Sequence, residues 1–258
     1  MKYMQNSNLK FRSFDEVLRT YLKRQEKEGK EKRDNNWWFA SELGTCLRKQ
    51  FLRRLGVNPV QKEFRIAFLA EQGKAIHDRM ETIAKQAGIL VNSEYTLTNE
   101  QYRYKGRFDL LVNLGNGTDP YLSLIDIKTQ RPEAFFRRAK LPEGQRVTAF
   151  QKKQLASYFY FARMIWPTIR DARIYYLDRG GGVREEYLFK FGKEAFKEVL
   201  DELETLNKYW QEKKLPPCSN SFVCRDFCKP LKKELLKVES GEISLEEFLK
   251  NHGQENKK

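Results

Sequence analysis

In the segment YLSLIDIK, Asp126 and Lys128 stand two residues apart. Alternate side chains of a β-strand project to one face, so a carboxylate and an ammonium are set side by side while Ile125 and Ile127 face the opposite layer. Asp109 lies seventeen residues upstream in KGRFDLLV, where a neighbouring strand is expected, and a hairpin through GNGTDP brings it beside Asp126. Two carboxylates on adjacent strands suit a hard divalent ion such as magnesium or manganese. Gln154 and Tyr158, four apart in QLASY, project from one helix face and line the same cleft.

A second constellation is made of sulfur. Cys218, Cys224 and Cys228 crowd into CSNSFVCRDFC, and the remaining cysteine, Cys46, lies far upstream of the acidic residues. Thiolates select zinc or an iron-sulfur cluster over hard cations, and four of them complete the shell of either. Such a group is structural and staples the two ends of the chain together. Gaps of five and three residues, with a proline after the last cysteine, differ from paired CxxC knuckles and favour a 4Fe-4S cluster, with zinc as the alternative. Four unrelated buried thiols, or two disulfides, form the plainer reading, and the clustering argues against it.

The elements that must position these groups are legible as periodicities. Ser13 and Glu16 (SFDE) form a capping box for an amphipathic helix running into YLKRQEKEGKEKRD. Ser41 caps a second helix, SELGTCLRKQFLRRLG, which holds Cys46 in its first turns and ends at Gly56. Helical spacing over 64–86 carries His77, and Gly88 closes it. Three alternating segments, 91–98, 105–114 and 121–128, read as a strand meander. A helix over 146–165, strands at 172–178 and 183–189 joined by DRGGG, and a helix over 193–213 follow. Ser244 and Glu247 cap a last short helix.

At 258 residues the chain accommodates one elaborated domain. We expect a helical extension over 1–36, a core over 37–215 that includes Cys46, a cysteine segment over 216–230 and a helical tail over 231–258. No apolar run reaches the roughly 18 residues of a membrane span and no secretion signal opens the chain, so a cytoplasmic protein without a membrane partner is expected. The net charge of +14, interleaved with 13% aromatic residues, points to a polyanion such as nucleic acid. No GxxxxGK[ST] loop is present, so no helicase motor of that design accompanies the site.

His77 after Gly73, Asp109 after Gly106, DIKT and QLASY occur in that order, each with fitting secondary structure beneath it. In this the chain resembles the PD-(D/E)XK nuclease superfamily, within it the RecB-like branch that holds the CRISPR-associated iron-sulfur exonucleases and AddB-type nuclease domains. SELGTC and the trailing cysteine trio match that branch's cysteine bracket, although RDF between Cys224 and Cys228 is one residue longer than in many relatives. The resemblance covers about 38–230. It implies an α/β fold with a restriction-endonuclease-like core, in which helices flank a central mixed sheet and the cluster staples the N- and C-terminal helical parts. It implies that Asp109, Asp126 and the Ile127 carbonyl hold one or two magnesium or manganese ions with His77 as a further ligand. Lys128 would position or activate water, and Gln154 and Tyr158 would orient the strand.

The implied activity is exonucleolytic cleavage of DNA, single-stranded or end-processed duplex, in recombination, repair or CRISPR spacer acquisition, with a protein partner from such a complex. The alternative is a nuclease-like DNA-binding adaptor that cuts little. The basic segments RKQFLRR and RRAKLPEGQR read as phosphate-contacting walls, and Phe135, Phe136 or Tyr104 as stacking partners for bases. Trp37 and Trp38 read as anchors that pack the chain entry.

Overall fold

The computed structural model describes residues 20–21, 36–57, 64–115, 119–180, 182, 184–218 and 227–252. The capping box at Ser13 and most of the charged stretch after it lie outside these residues, as does Cys224.

Two sheets share one helical layer. Strands β2 (Leu90–Ser93), β5 (Leu110–Asn113), β6 (Leu122–Gln130), β7 (Ile169–Asp178) and β8 (Arg184–Phe189) form a five-stranded sheet in the order β2-β5-β6-β7-β8. Within this sheet, among the described residues, β6 and β7 pair in parallel, whereas β2 with β5, β5 with β6 and β7 with β8 are antiparallel. A three-stranded sheet places β4 (Tyr104–Arg107) between β1 (Trp38–Phe39) and β3 (Thr96–Asn99). The parallel pair needs a crossover, and helices α3 (Pro132–Ala139) and α4 (Ala149–Arg163) supply it. Proline at the first position opens α3, and Thr148 caps α4 by accepting from the Gln151 N–H while the Gln151 side chain accepts from Thr148 N–H.

The period of two along β6 sorts its side chains between layers. Leu124 joins Leu111, Ile174 and Tyr176 against Leu155, Phe159 and Ala162 of α4. Ile127 joins Leu110, Val112 and Leu177 on the other face, against Ala84 of α2 (Phe64–Gln86). A third, smaller core packs Leu52 of α1 (Leu47–Arg54) against Phe227, Leu231, Leu235 of α6 (Lys232–Ser240) and Phe248 of α7 (Leu245–His252). The long helix α5 (Lys193–Gln211) closes the main core with Val199, Leu203 and Leu206.

The observed mixed α/β architecture refines several expectations. The segments at 91–98 and 105–114 are each broken, at Glu94–Tyr95 and at Phe108–Asp109, and the chain leaves the larger sheet for the smaller one and returns at these breaks. A continuous meander is therefore replaced by two sheets. Around Cys46, Ala40–Glu42 form a single 3-10 turn and α1 begins only at Leu47. Cys46 is the residue preceding the helix, buried at 2% exposure, because Gly44 at φ 76 breaks the run ahead of it. Gly56, also at positive φ, ends α1 as expected.

Buried cations and rings overturn part of the nucleic-acid wall. Arg48, Arg54 and Arg138 are buried, and the Arg54 guanidinium lies 4.1 and 4.0 Å from the ring centres of Trp38 and Trp210, which meet edge to face. Tyr104 and Phe135 are core residues at 0% and 1% exposure, so neither stacks on a base; Phe136 is exposed. Among the described residues no helix is long and apolar enough to cross a membrane.

Candidate functional site

Asp126 and Lys128 leave β6 on the face covered by α4, as their spacing requires. Lys128 Nζ donates to Asp126 Oδ1 at 3.1 Å and to Gln154 Oε1 at 3.0 Å, and Gln154 Nε2 donates to the Tyr158 hydroxyl at 2.8 Å. One chain of polar contacts thus runs from a sheet carboxylate through an ammonium to the tip of a helix phenol. Asp126 Oδ2 stands 2.8 Å from the same Nζ but out of line for a hydrogen bond, and it is buried without another partner among the described residues. Burial pushes the Asp126 carboxyl up to about 6, offset by Lys128 and reinforced by the nearby Asp109 charge. Burial likewise holds the Tyr158 phenol well above its ordinary range, so it stays neutral.

Asp109 sits at the break between β4 and β5 rather than within a strand. Its Oδ2 accepts from the Ile127 backbone N–H, and its Oδ1 lies 3.2 Å from His77 Nδ1 on α2. That contact with Asp109 raises the His77 pKa against the opposing effect of burial. Glu94, at the break between β2 and β3, donates its N–H to the Asp109 carbonyl at 2.9 Å. Its φ of 48 turns the chain there, and the ligand atoms of His77, Glu94 and Asp109 all lie within 4.8 Å of one another. Burial raises the Glu94 carboxyl, partly offset by Arg107, whose Nε lies 2.8 Å from Glu94 Oε2. A histidine nitrogen with two carboxylates at this separation is a donor set for a divalent cation.

The structure gathers His77, Asp109, Asp126, Ile127, Lys128, Gln154 and Tyr158 at one end of β6, and it adds Glu94, which the sequence reading missed. Asp126, bonded to Lys128, is not one of the three residues whose ligand atoms lie within 4.8 Å of one another; it is linked to that trio through the next residue, Ile127, whose N–H donates to Asp109. The one available signal for Glu94 was an acid interrupting an alternating run in VNSEYTLT. The two glycines of the sequence pattern serve close approach. A Cβ on Gly106 would fall 2.8 Å from Tyr158 Cε1, and one on Gly73 would fall 3.2 Å from Thr129 Oγ1, so α4 and α2 can lie against the strands that carry the site.

Of the cysteines, Cys46 is buried, Cys228 is half-buried within the third core and Cys218 is exposed. The helix that begins after Cys46 approaches the 216–230 segment at two points, Pro216 and Phe227. Arg48 Nε donates to the Pro216 carbonyl at 2.8 Å, and Lys49 Nζ lies 6.0 Å from the centre of the Phe227 ring.

No family model matches the chain, and no curated protein sequence matches it. Among solved structures, the chain is similar to SSO0001 with a TM-score of 0.48 and 17% identity, over 75% of this chain and 85% of that one. It is also similar to an alkaline exonuclease, LHK-Exo from Laribacter hongkongensis, with a TM-score of 0.47 and 12% identity, over 79% of this chain and 95% of that one.

Proposed function

We propose that this protein is a metal-dependent DNA exonuclease acting on single strands or on end-processed duplex. The observation that carries the reading is the buried Asp126 carboxylate, which meets Lys128 and is followed by Ile127, whose N–H holds Asp109 of the His77, Glu94 and Asp109 group. A structural ion pair would saturate both carboxylate oxygens, whereas Oδ2 here accepts no hydrogen bond. Asp109, Asp126, His77 and the Ile127 carbonyl, with Glu94 within reach, would hold magnesium or manganese. When bound, the ion offsets charge on the phosphate oxygens and lowers the pKa of an attacking water.

The chain's own groups do the rest. Lys128 Nζ, held between Asp126 and Gln154, presents its remaining donor toward the water or phosphate oxygen. Gln154 keeps the ammonium and the Tyr158 hydroxyl in fixed relation, and the neutral phenol donates to the strand. The net charge of +14 attracts the polyanion.

Cys46, Cys218, Cys224 and Cys228 would hold a 4Fe-4S cluster, with zinc as the alternative. Support comes from the donor chemistry and from α1, which meets Pro216, just before Cys218, and approaches Phe227, just before Cys228. The cluster would join the N-terminal part of the core to the small C-terminal one. A protein partner in recombination or CRISPR adaptation fits the same reading. Asp126→Ala tests the activity: manganese-dependent loss of label from end-labelled DNA disappears while binding persists. Unchanged cleavage by this variant would end the proposal, and binding without cleavage by the unaltered protein would leave the adaptor.

A further inference from the structure

Strand β1 is only two residues long, pairing Trp38 with Tyr104 and Phe39 with Lys105. Beyond Phe39 the chain turns into Ala40–Glu42, so the edge of β4 at Gly106 and Arg107 has β3 on one side and, among the described residues, no strand on the other. A cavity of about 450 Å³ opens there, bounded by Phe39, Ser41, Thr96, Lys105, Arg107 and Tyr158. That size falls within the ~300–1,000 Å³ of small-ligand sites.

Two contacts tie this cavity to the candidate centre. Tyr158 forms its wall and is joined through Gln154 to Lys128, at 2.8 and 3.0 Å. Arg107 lies on its rim and pairs with Glu94 at 2.8 Å, one ligand atom from His77 and Asp109. The lining has the chemistry of a nucleotide. Lys105 and Arg107 share a face of β4, and the Lys105 ammonium makes no ion pair or hydrogen bond among the described residues. Phe39 offers a half-buried ring, and Ser41 and Thr96 offer exposed hydroxyls.

We propose that this cavity is a nucleotide subsite, holding the residue next to the scissile phosphate with Lys105 on its phosphate and Phe39 against its base. The inference rests on the nuclease reading and extends it by naming where the strand lies. Cationic side chains track a backbone and an aromatic ring takes a base without regard to its identity. The subsite therefore confers position, not sequence preference.

The test uses single strands in which one abasic residue, or one neutral methylphosphonate linkage, is stepped along the chain. With the unaltered protein, kcat/KM falls on the order of 10-fold when the abasic residue occupies one position beside the cut. Phe39→Leu removes that dependence. Lys105→Gln raises KM with kcat held and removes the effect of the neutral linkage. Both variants keeping the parental profiles would overturn the subsite while leaving the nuclease reading intact. If Phe39→Leu does not fold, as a thermal melt will tell, Lys105→Gln at its half-exposed position carries the test. If the unaltered protein cuts nothing with manganese, the nuclease reading fails and the cavity is judged by metal-free binding of a fluorescent single strand. Weaker binding by Lys105→Gln supports the subsite, and equal binding refutes it.

Discussion

The paired strands β6 and β7 bury a carboxylate toward each end, and the two carboxylates are supplied with donors very differently. Asp171, at 0% exposure, accepts from the Tyr121 and Ser123 hydroxyls and pairs with Arg173 at 3.3 Å; Arg173 also donates to Ser123 Oγ at 3.0 Å. Asp126, at 3% exposure, has one lysine for both oxygens, and its carboxyl is pushed up to about 6. Burial is alike at the two ends, so the difference lies in the supply of donors. A saturated network fixes a strand register and has no capacity for another ligand. An under-supplied carboxylate among other ionisable groups is unstable by itself and is suited to a cation.

Removing the charge at each end separates these roles. Asp126→Asn lowers metal-dependent cleavage at least about 100-fold, beyond what loss of an outer-shell partner produces. In the metal-free protein it does not lower the melting temperature at pH 7.5. An acid whose pKa is raised by folding adds stability below its unfolded value near 4 and loses it as pH rises through about 6. Relief from that loss, up to about 3 kcal/mol less what Lys128 forfeits, appears above pH 6 and vanishes below about 4. Asp171→Asn instead breaks a saturated buried network, costing about 3 kcal/mol in denaturant unfolding while the folded fraction cleaves normally. Equal stability losses in the two variants would erase the distinction between the ends.

Metal addition sharpens it further. Manganese raises the melting temperature by mass action, and the increment is larger at pH 7.5 than at pH 5, because protons on Asp126 and His77 compete with the ion. A shift that is the same at both pH values would place the ion elsewhere. The smallest effect on the active end is expected from the remote thiolates. If the cysteines hold the proposed cluster, anaerobically purified protein is expected to be brown with broad visible absorbance, and its removal is expected to increase protease sensitivity of the small C-terminal core before it touches the β6 end. A colourless protein with stoichiometric zinc would change the cluster assignment and leave the comparison of carboxylates standing.

Much of this arrangement was written in local pattern. The helix over 64–86 appears as Phe64–Gln86, and that expected over 193–213 appears as Lys193–Gln211, because an apolar face at 3.6-residue spacing needs no partner to be recognised. The helix expected over 146–165 is trimmed to Ala149–Arg163 by the Thr148 cap. Helix α3 escaped notice because PEAFFRRA is short, and half of its meaning is Arg138 stacking at 3.7 Å on Tyr176 from a distant strand. The burial of Tyr104 and Phe135 was equally illegible, since a ring that could meet a base and one that fills a core look the same along a chain.

The sequence by itself determined which faces Asp126 and Lys128 share, which turn Gln154 and Tyr158 share, and that small residues at 73 and 106 precede His77 and Asp109. Periodicity is a local property and survives without a fold. Only the tertiary structure decided that the two strand breaks, at Glu94 and Asp109, meet over His77, and that Asp126 goes short of donors while Asp171 does not. Those facts depend on how two sheets divide one run of strands, and on desolvation by residues far away in the chain, neither of which any short window of sequence contains.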